Sequence, residues 1–390
     1  MPRVSQPPVA LEDLQGFRYL QHFAELWQPL RACAVDRAGN RTLFFDQYLA
    51  LLLLYYFTPT LTSLRGLQQA ATLSKVQKAV ALPTAPALGT LSAAARAFDP
   101  ALLQPILAEL AARAVPVVEG HEAEALAGLT AVDGSLLRAL PRMVWALWKD
   151  PQHRGVKLHL HFDVIKAAPC HATLSPAACS EITHLERTLQ GGRLYVLDRG
   201  YASYRLLGHI LTAQSSFVVR LKEDAAFTLQ EERPLDDAAR QAGVIRDVVA
   251  RRLGTSHHKD EVGQAVRLVW VRHAEARPGE ATVLLLCTDR LALAAELVAL
   301  AYRWRWWIEL FFRWLKCILG CRHLLSSNQA GVTIQVYAAL IASLLVSLSS
   351  ARKPTKRTFE MLCFYFAGVA SVEEVQRHLE KLDQQDKDSS

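Results

Sequence analysis

The stretch YRWRWWIELFFRWLK, residues 302–316, sets one carboxylate, Glu309, among Arg303, Arg305, Arg313 and Lys316. A helix turns about 100° per residue, so Tyr302, Arg305, Glu309 and Lys316 fall within an arc of roughly 60°, with Arg313 beside them. Trp304, Trp307, Leu310, Phe311 and Trp314 gather on the other side and are expected to seat the helix on a core. The lone acid has two readings. In one, Glu309 pairs with Arg305 and Arg313, at i−4 and i+4, as a surface salt bridge. In the other it meets two acids from elsewhere in the chain, Asp133 in VDGS and Asp198 in VLDRGY. Converging carboxylates repel one another unless cations lie between them, and Mg2+, which prefers oxygen ligands and keeps several waters, suits such a set. Two Mg2+ ions, with Mn2+ as a substitute, can activate a water or hydroxyl and stabilise the leaving oxygen of a phosphodiester displacement. Arg305, Arg313 and Lys316 then hold a nucleic-acid backbone, and Tyr302 contacts a sugar, base or phosphate.

For the three acids to meet, separate elements must carry them to one place. Residues 129–137, LTAVDGSLL, read as a strand with Asp133 near its end and Gly134 as punctuation. Residues 157–165, KLHLHFDVI, alternate with period two, and residues 167–177 form the expected hairpin partner. Residues 180–189 read as a helix stopped by Gly191-Gly192, and residues 193–203 as a short apolar strand running into Asp198, with a helix over 204–212. Three strands, a helix, a strand and a helix open a ribonuclease-H-like α/β fold. Acids at the C-terminal ends of strands are where α/β sites lie. Four strand-like runs follow between residues 217 and 288, read as a β-rich insertion. Thr288-Asp289 is expected to cap a long helix over about 291–319, stopped by Gly320, with a second apolar helix over about 331–349.

Other constellations compete. His159, His161 and Asp163 share a strand face and resemble a metal set, a pattern that strand alternation also yields by itself. Asp150 and Asp163 are alternatives to Asp133 as first acid, but neither has its strand-end context. His257-His258-Lys259 lies in a polar turn. Arg220, Lys222, Arg246, Arg251 and Arg252 either line a DNA groove or form a charged solvent face.

The bulk composition sets bounds on these readings. With 390 residues, half of them hydrophobic and 21% charged, the chain is folded and divides into two or three domains. The formal net charge of +7 favours a polyanionic partner. Seven dispersed cysteines do not make a secreted disulfide framework, and no signal peptide is expected, so the setting is cytoplasmic. The apolar runs at residues 48–57 and 334–348 fall short of the ~20 residues that span a bilayer, so no membrane is expected. Residues 1–125 read as short helices separated by breaks, either a helix-turn-helix-like module or an ordinary helical domain.

The spacing Tyr302-x2-Arg305-x3-Glu309-x6-Lys316 resembles the YREK signature of DDE transposases of the bacterial insertion-sequence-four family, and VDGS and VLDRGY resemble the surroundings of that family's first and second acids. The resemblance covers residues 129–350 and, loosely, the helical N-terminus. It implies an α/β RNase H-like catalytic domain, a mixed sheet flanked by helices, interrupted by the β-rich insertion and preceded by a helical N-terminal domain. The divisions are 1–125 for DNA binding or dimerisation, 126–216 and 289–350 for the catalytic domain, 217–288 for the insertion and 351–390 for a helical tail. Asp133, Asp198 and Glu309 are implied as the catalytic, Mg2+-binding triad. Tyr302, Arg305 and Lys316 are implied as contacts to double-stranded DNA at the terminal inverted repeats, with Arg313 beside them. The implied reaction is cut-and-paste transfer into target DNA by a homodimer on nucleoid DNA. Trp270 is either a base-stacking aromatic of the insertion or core. The alternatives are an RNase H-like structure-specific nuclease and a domesticated DNA-binding protein without catalysis.

Overall fold

Of the first 125 residues, those described fold into helices as the apolar spacing dictates. In the computed structural model, which describes residues 10, 24–32, 41–58, 60–139, 142–150, 153–254, 262–273, 282–319, 324–350, 355–366 and 368–388, they make α1 (Ala24–Ala32), α2 (Phe45–Phe57), α3 (Leu64–Ala70), α4 (Ser74–Val80), α5 (Leu88–Ala97), α6 (Leu103–Arg113) and α7 (His121–Ala125). The α2 run FDQYLALLLLYYF is apolar all round and buried all round. Its first turn is closed by the Gln47 carboxamide, which accepts from the Phe44 N–H at 3.0 Å and donates to the Ala81 carbonyl. Ser63 caps α3 as its position predicts, accepting from the Gly66 N–H at 3.0 Å.

From Leu129 the period changes to two and one continuous sheet forms. Its strands are β1 (Leu129–Arg138), β2 (Leu147–Asp150), β3 (His153–Asp163), β4 (Ala168–Pro176), β5 (Leu194–Leu197), β6 (Ser216–Leu221), β7 (Phe227–Glu232), β8 (Val244–Leu253), β9 (Val266–Arg272) and β10 (Val283–Thr288). The order is β2-β3-β1-β5-β6-β10-β9-β8-β7, with β4 also paired to β3. β1 runs antiparallel to β3 and parallel to β5, and β5 runs parallel to β6. From β6 to β7 every neighbour is antiparallel. The expected boundary at residue 217 falls inside β6, and β7–β10 extend the sheet that carries Asp133. β2, β7 and the short helix α10 (Asp237–Gln241) carry too little periodic pattern to be seen in sequence.

Two cores flank the sheet. Between β4 and β5 comes α8 (Glu181–Thr188), and between β5 and β6 comes α9 (Tyr204–Thr212); Leu185, Leu206, Leu207 and Ile210 of these helices pack with Val132, Tyr195, Leu197 and Phe217 on one face. On the other face Ala131, Leu158, Leu160, Phe162 and Val196 meet the helices that follow β10. These are α11 (Ala295–Trp304), α12 (Trp306–Leu319), α13 (Gln329–Ser350), α14 (Lys356–Phe366) and α15 (Val372–Asp388).

Several expectations need correction. The helix foreseen from residue 291 begins at Ala295, because Asp289 is engaged elsewhere: its Oδ1 accepts from the Phe217 N–H at 2.8 Å, and Thr288 Oγ1 accepts from the Arg290 N–H. It is also two helices, with Arg305 as the joint between α11 and α12. The tail helix α15 runs as far as Asp388. α13 is the one helix among the described residues long and apolar enough to cross a membrane, and 94% of its most apolar window is buried inside the fold. Gly320 and His257-His258-Lys259 lie outside the described residues.

Candidate active site

Sequence reading placed Asp133 near the end of its strand; it is instead the fifth of ten residues in β1. The relevant end is that of the pairing with β5. The parallel ladder runs Leu129↔Leu194, Thr130↔Tyr195, Ala131↔Val196 and then stops. Two residues past Ala131 stands Asp133, within β1, and two past Val196, just beyond the end of β5, stands Asp198, whose charge acts on Asp133. β1 continues past this point on its antiparallel ladder with β3, while the chain after Leu197 turns away through a short 3-10 turn, Arg199–Tyr201. The two acids therefore sit where adjacent parallel strands part, the position at which α/β folds build sites. Each is held by a backbone donor: Gly134 N–H to Asp133 Oδ1 at 2.7 Å, and Gly200 N–H to Asp198 Oδ1 at 2.8 Å.

α12 covers the sheet face of Ala131 and Val196. Ile308, Phe311, Phe312, Trp314 and Leu315 are buried in the core beneath β1 and β3, with Phe311 packed 5.1 Å from Phe162 between ring centroids. Trp304 and Trp307 pack against that core from its margin, whereas Leu310, expected on the apolar side, is exposed, as is Trp306. The helix sets Glu309 beside Arg305, and Arg305 within electrostatic reach of Asp133. Arg305 Nη2 donates to Glu309 Oε1 at 2.8 Å. The pair foreseen between these residues thus exists, but it is no surface salt bridge, since the Arg305 side chain is only 13% exposed. Arg305 also lies 5.6 Å from the centre of the Tyr302 ring, and its buried Nε has no hydrogen-bond partner among the described residues. Arg313 and Lys316 are exposed on the outer side of the same helix.

The electrostatics join these groups. Burial pushes the Asp133 carboxyl up to about 6; the Gly134 N–H and Arg305 oppose the shift, and the charges of Asp198 and Glu181 add to it. Burial also disfavours the Arg305 cation, yet Tyr302, Glu309 and Asp133 outweigh it and hold the guanidinium above its ordinary range. Arg305 thus serves Glu309 and Asp133 at once. Among the described residues no three His, Cys, Asp or Glu side chains are grouped closely enough to hold a metal ion as they stand, and Glu309 spends its carboxylate on Arg305.

A fourth acid was missed. Glu181, at the start of α8, comes from the opposite face of the sheet and pairs with Lys157 Nζ at 2.9 Å. Its entry depends on Gly134: a Cβ there would stand 2.8 Å from Glu181 Oε1. Nothing in the spacing around Glu181 marks it, and the one available signal was the glycine directly after Asp133.

The rival sets are accounted for. His159 Nε2 lies 2.8 Å from Ser175 Oγ, and its ring stacks on His184 with centroids 3.8 Å apart. His161 lies under His171 and beside Thr188. Burial, followed by neighbouring positive groups, holds all four imidazoles below the ordinary histidine range, His159 down to about 3, so they pack as neutral rings. Asp163 accepts from the Lys166 N–H and faces Arg193 at 3.6 Å, paired with Thr130 at the start of β1. The side chain of Asp150 lies outside the described residues. Trp270 packs on Phe227 and under Arg246, and Arg246 in turn pairs with Glu232.

A sheet of this kind with acids where its strands part belongs to a class that comparison identifies. Residues 125–345 match the family described as Transposase DDE domain, more than half of the chain, and the chain belongs to that family. It is similar to a putative transposase, y4zB, of Sinorhizobium fredii, 30% identical over 199 residues that cover 50% of this chain and 54% of the relative. It is also similar to a probable transposase for insertion sequence element IS5377 of Geobacillus stearothermophilus, 24% identical over 58% of this chain and 59% of the relative. The chain thus spans little more than half the length of the curated relatives it matches. A cryo-EM structure of the piggyBac transposase synaptic complex with hairpin DNA aligns over 97% of this chain and 83% of that chain, with a TM-score of 0.40 and 10% identity, a likeness that carries no argument.

Proposed function

We propose that the chain is a metal-dependent polynucleotidyl transferase of the insertion-sequence-four type, cutting DNA at the inverted-repeat ends of its own element and joining them to target DNA. The observation that carries this reading is the placing of Asp133 and Asp198 where the parallel strands β1 and β5 part, with Arg305, paired to Glu309, within electrostatic reach of Asp133. The strand order β4-β3-β1-β5-β6, with β3 alone antiparallel to β1, β5 and β6 among its central strands, supports an RNase H-like core. β7–β10 are then the β-rich addition between the second acid and the glutamate.

The residues fit a divalent ion in kind. All three donors are carboxylates, and Asp133 is a half-buried acid whose charged form is favoured by the Gly134 N–H and Arg305. Asp133, Asp198 and Glu309 would hold Mg2+, or Mn2+ in its place. Bound there, two such ions supply an activated water or hydroxyl and a stabilised leaving oxygen. The chain's own groups do the rest. Arg305 holds Glu309 while no metal is bound and, once Glu309 leaves it for the metal, offers its donors to a phosphate. Arg313 and Lys316, exposed on the outer side of α12, hold the DNA end together with Tyr302 near the end of α11. Pairing two ends requires two copies of the site, which favours a homodimer.

The test is a supercoiled donor plasmid carrying the element's own flanking repeats, incubated with the protein and Mg2+. Excision with insertion into a target is the expected result. Cleavage without joining marks a nuclease, and DNA binding with neither step by folded protein marks a non-catalytic DNA-binding protein; either result overturns the reading.

A further inference from the structure

Glu309 is the acid whose carboxylate is already engaged. Its Oε1 accepts from Arg305 Nη2 at 2.8 Å, and the Arg305 side chain is only 13% exposed. Among the described residues no group of three acids could hold an ion as it stands, so Glu309 has to leave Arg305 to join Asp133 and Asp198. The same guanidinium offsets the charge of Asp133. Arg305 therefore does part of a cation's work beside these acids, and a divalent ion has to compete with it. Its hold on Glu309 is incomplete. A guanidinium carries a fork of N–H donors and no acceptor. Among the described residues that of Arg305 spends one hydrogen bond on Glu309, while its buried Nε has no partner. A phosphate, with several acceptor oxygens, satisfies more of these donors than a single carboxylate oxygen does.

We propose that Arg305 is a latch on Glu309: without DNA it holds the third carboxylate against the ion, and a phosphate that takes the guanidinium frees Glu309 for Asp133 and Asp198. This rests on the metal reading of the three acids. Arg305 is then a positioning residue, acting on the ion through Glu309, and its presence weakens ion binding to the DNA-free chain. Because one guanidinium serves either the carboxylate or the phosphate, ion and phosphate each raise the affinity for the other. An ion site so built is completed by the arrival of the DNA backbone. An Arg305 that instead supports Glu309 on the ion would strengthen ion binding, so the two roles differ in sign.

The experiment is Mn2+ binding to the full chain, followed by electron paramagnetic resonance without DNA, with circular dichroism confirming the fold of each variant. Asp133→Asn is the control, and loss of binding there supports the metal site. Arg305→Met, which keeps an unbranched stem and removes the donors, is expected to tighten Mn2+ binding about tenfold, the scale of a charge-assisted hydrogen bond. The same substitution made on Glu309→Gln should bring only a small part of that gain, since the carboxylate it would release is gone. Sulfate, used as an oxyanion probe at an ionic strength matched with chloride, should tighten Mn2+ binding to wild type and not to Arg305→Met. Unchanged or weaker binding in folded Arg305→Met overturns the latch while leaving the metal site standing. So does an equal gain with and without Glu309, which marks charge relief at Asp133 alone. No effect of sulfate on wild type overturns release by phosphate. Undiminished binding in Asp133→Asn overturns the metal site itself, and the latch with it.

Discussion

Asp133 is the residue on which the site's chemistry concentrates, and its cost to the fold is measurable. Its carboxyl is raised to about 6 from an ordinary 3.8, chiefly by burial. A folded-state pKa above the unfolded one means that the folded protein binds the extra proton, so stability is full below about pH 4 and falls as pH rises through 6. Asp133→Asn removes that loss. Without divalent ions, the variant is expected to be more stable than wild type by on the order of 2 kcal/mol at pH 7.5, with the gap closing below pH 4. Urea unfolding at both pH values checks this, and equal stabilities at pH 7.5 would show that Asp133 is solvated. An acid kept at such a position despite the cost is what a cation-binding role requires. At this scale the sequence was informative about types and poor about partners. The Arg305–Glu309 pair and the approach of Asp198 to Asp133 were legible from spacing. Glu181 was not, because a helix on the far face and a missing Cβ bring it in, and neither leaves a periodic trace.

At the scale of elements, two features position the helices that carry Arg305 and Glu309. One is the joint at Arg305, where α11 ends and α12 begins, which periodicity alone reads as a single helix. The other is a buried ion pair between neighbouring strands. Arg267 on β9 donates to Asp247 on β8 at 2.8 Å, with side chains 6% and 3% exposed, and also donates to the carbonyls of Leu291 and Leu293 in the turn leading to α11. The sheet extension thus holds the entry to the helix pair that carries Arg305 and Glu309. Arg267→Ala leaves Asp247 buried without its partner, and a loss of about 3–5 kcal/mol in unfolding free energy is expected. Replacing both residues with apolar ones should restore much of it. Chemical denaturation of the single and double variants decides this; a loss under about 1 kcal/mol for Arg267→Ala would show the pair to be solvated in solution. The strands here were readable because Val, Ile and Leu alternate in them. The role of Asp289 was misread because a capping residue type before a helix gave no sign that a strand N–H, that of Phe217, would claim it first.

Across the whole molecule, one sheet joins the acids to the helices that cover them. α13 passes through the centre, tied to the N-terminal helices by the Tyr56 hydroxyl on the Gln335 carbonyl at 2.9 Å and to β4 by the Tyr337 hydroxyl on the Ala172 carbonyl. Its length and apolarity would suit a bilayer, but its residues are spent on this core. The α/β class was legible because period-two and helical patterns alternate along the chain. The continuity of β6–β10 with the sheet of β1 and β5 was not, since strand pairing between residues distant in sequence is not written in local pattern. The account's central claim is that Asp133, Asp198 and Glu309 share a divalent ion. The most direct measurement is anomalous scattering from crystals of the full chain grown in Mn2+. The account predicts a manganese peak bound by the Asp133 and Asp198 carboxylates, with Glu309 released from Arg305 to join them. Saturating Mn2+ with no peak at those two acids, and Glu309 still on Arg305, would contradict it.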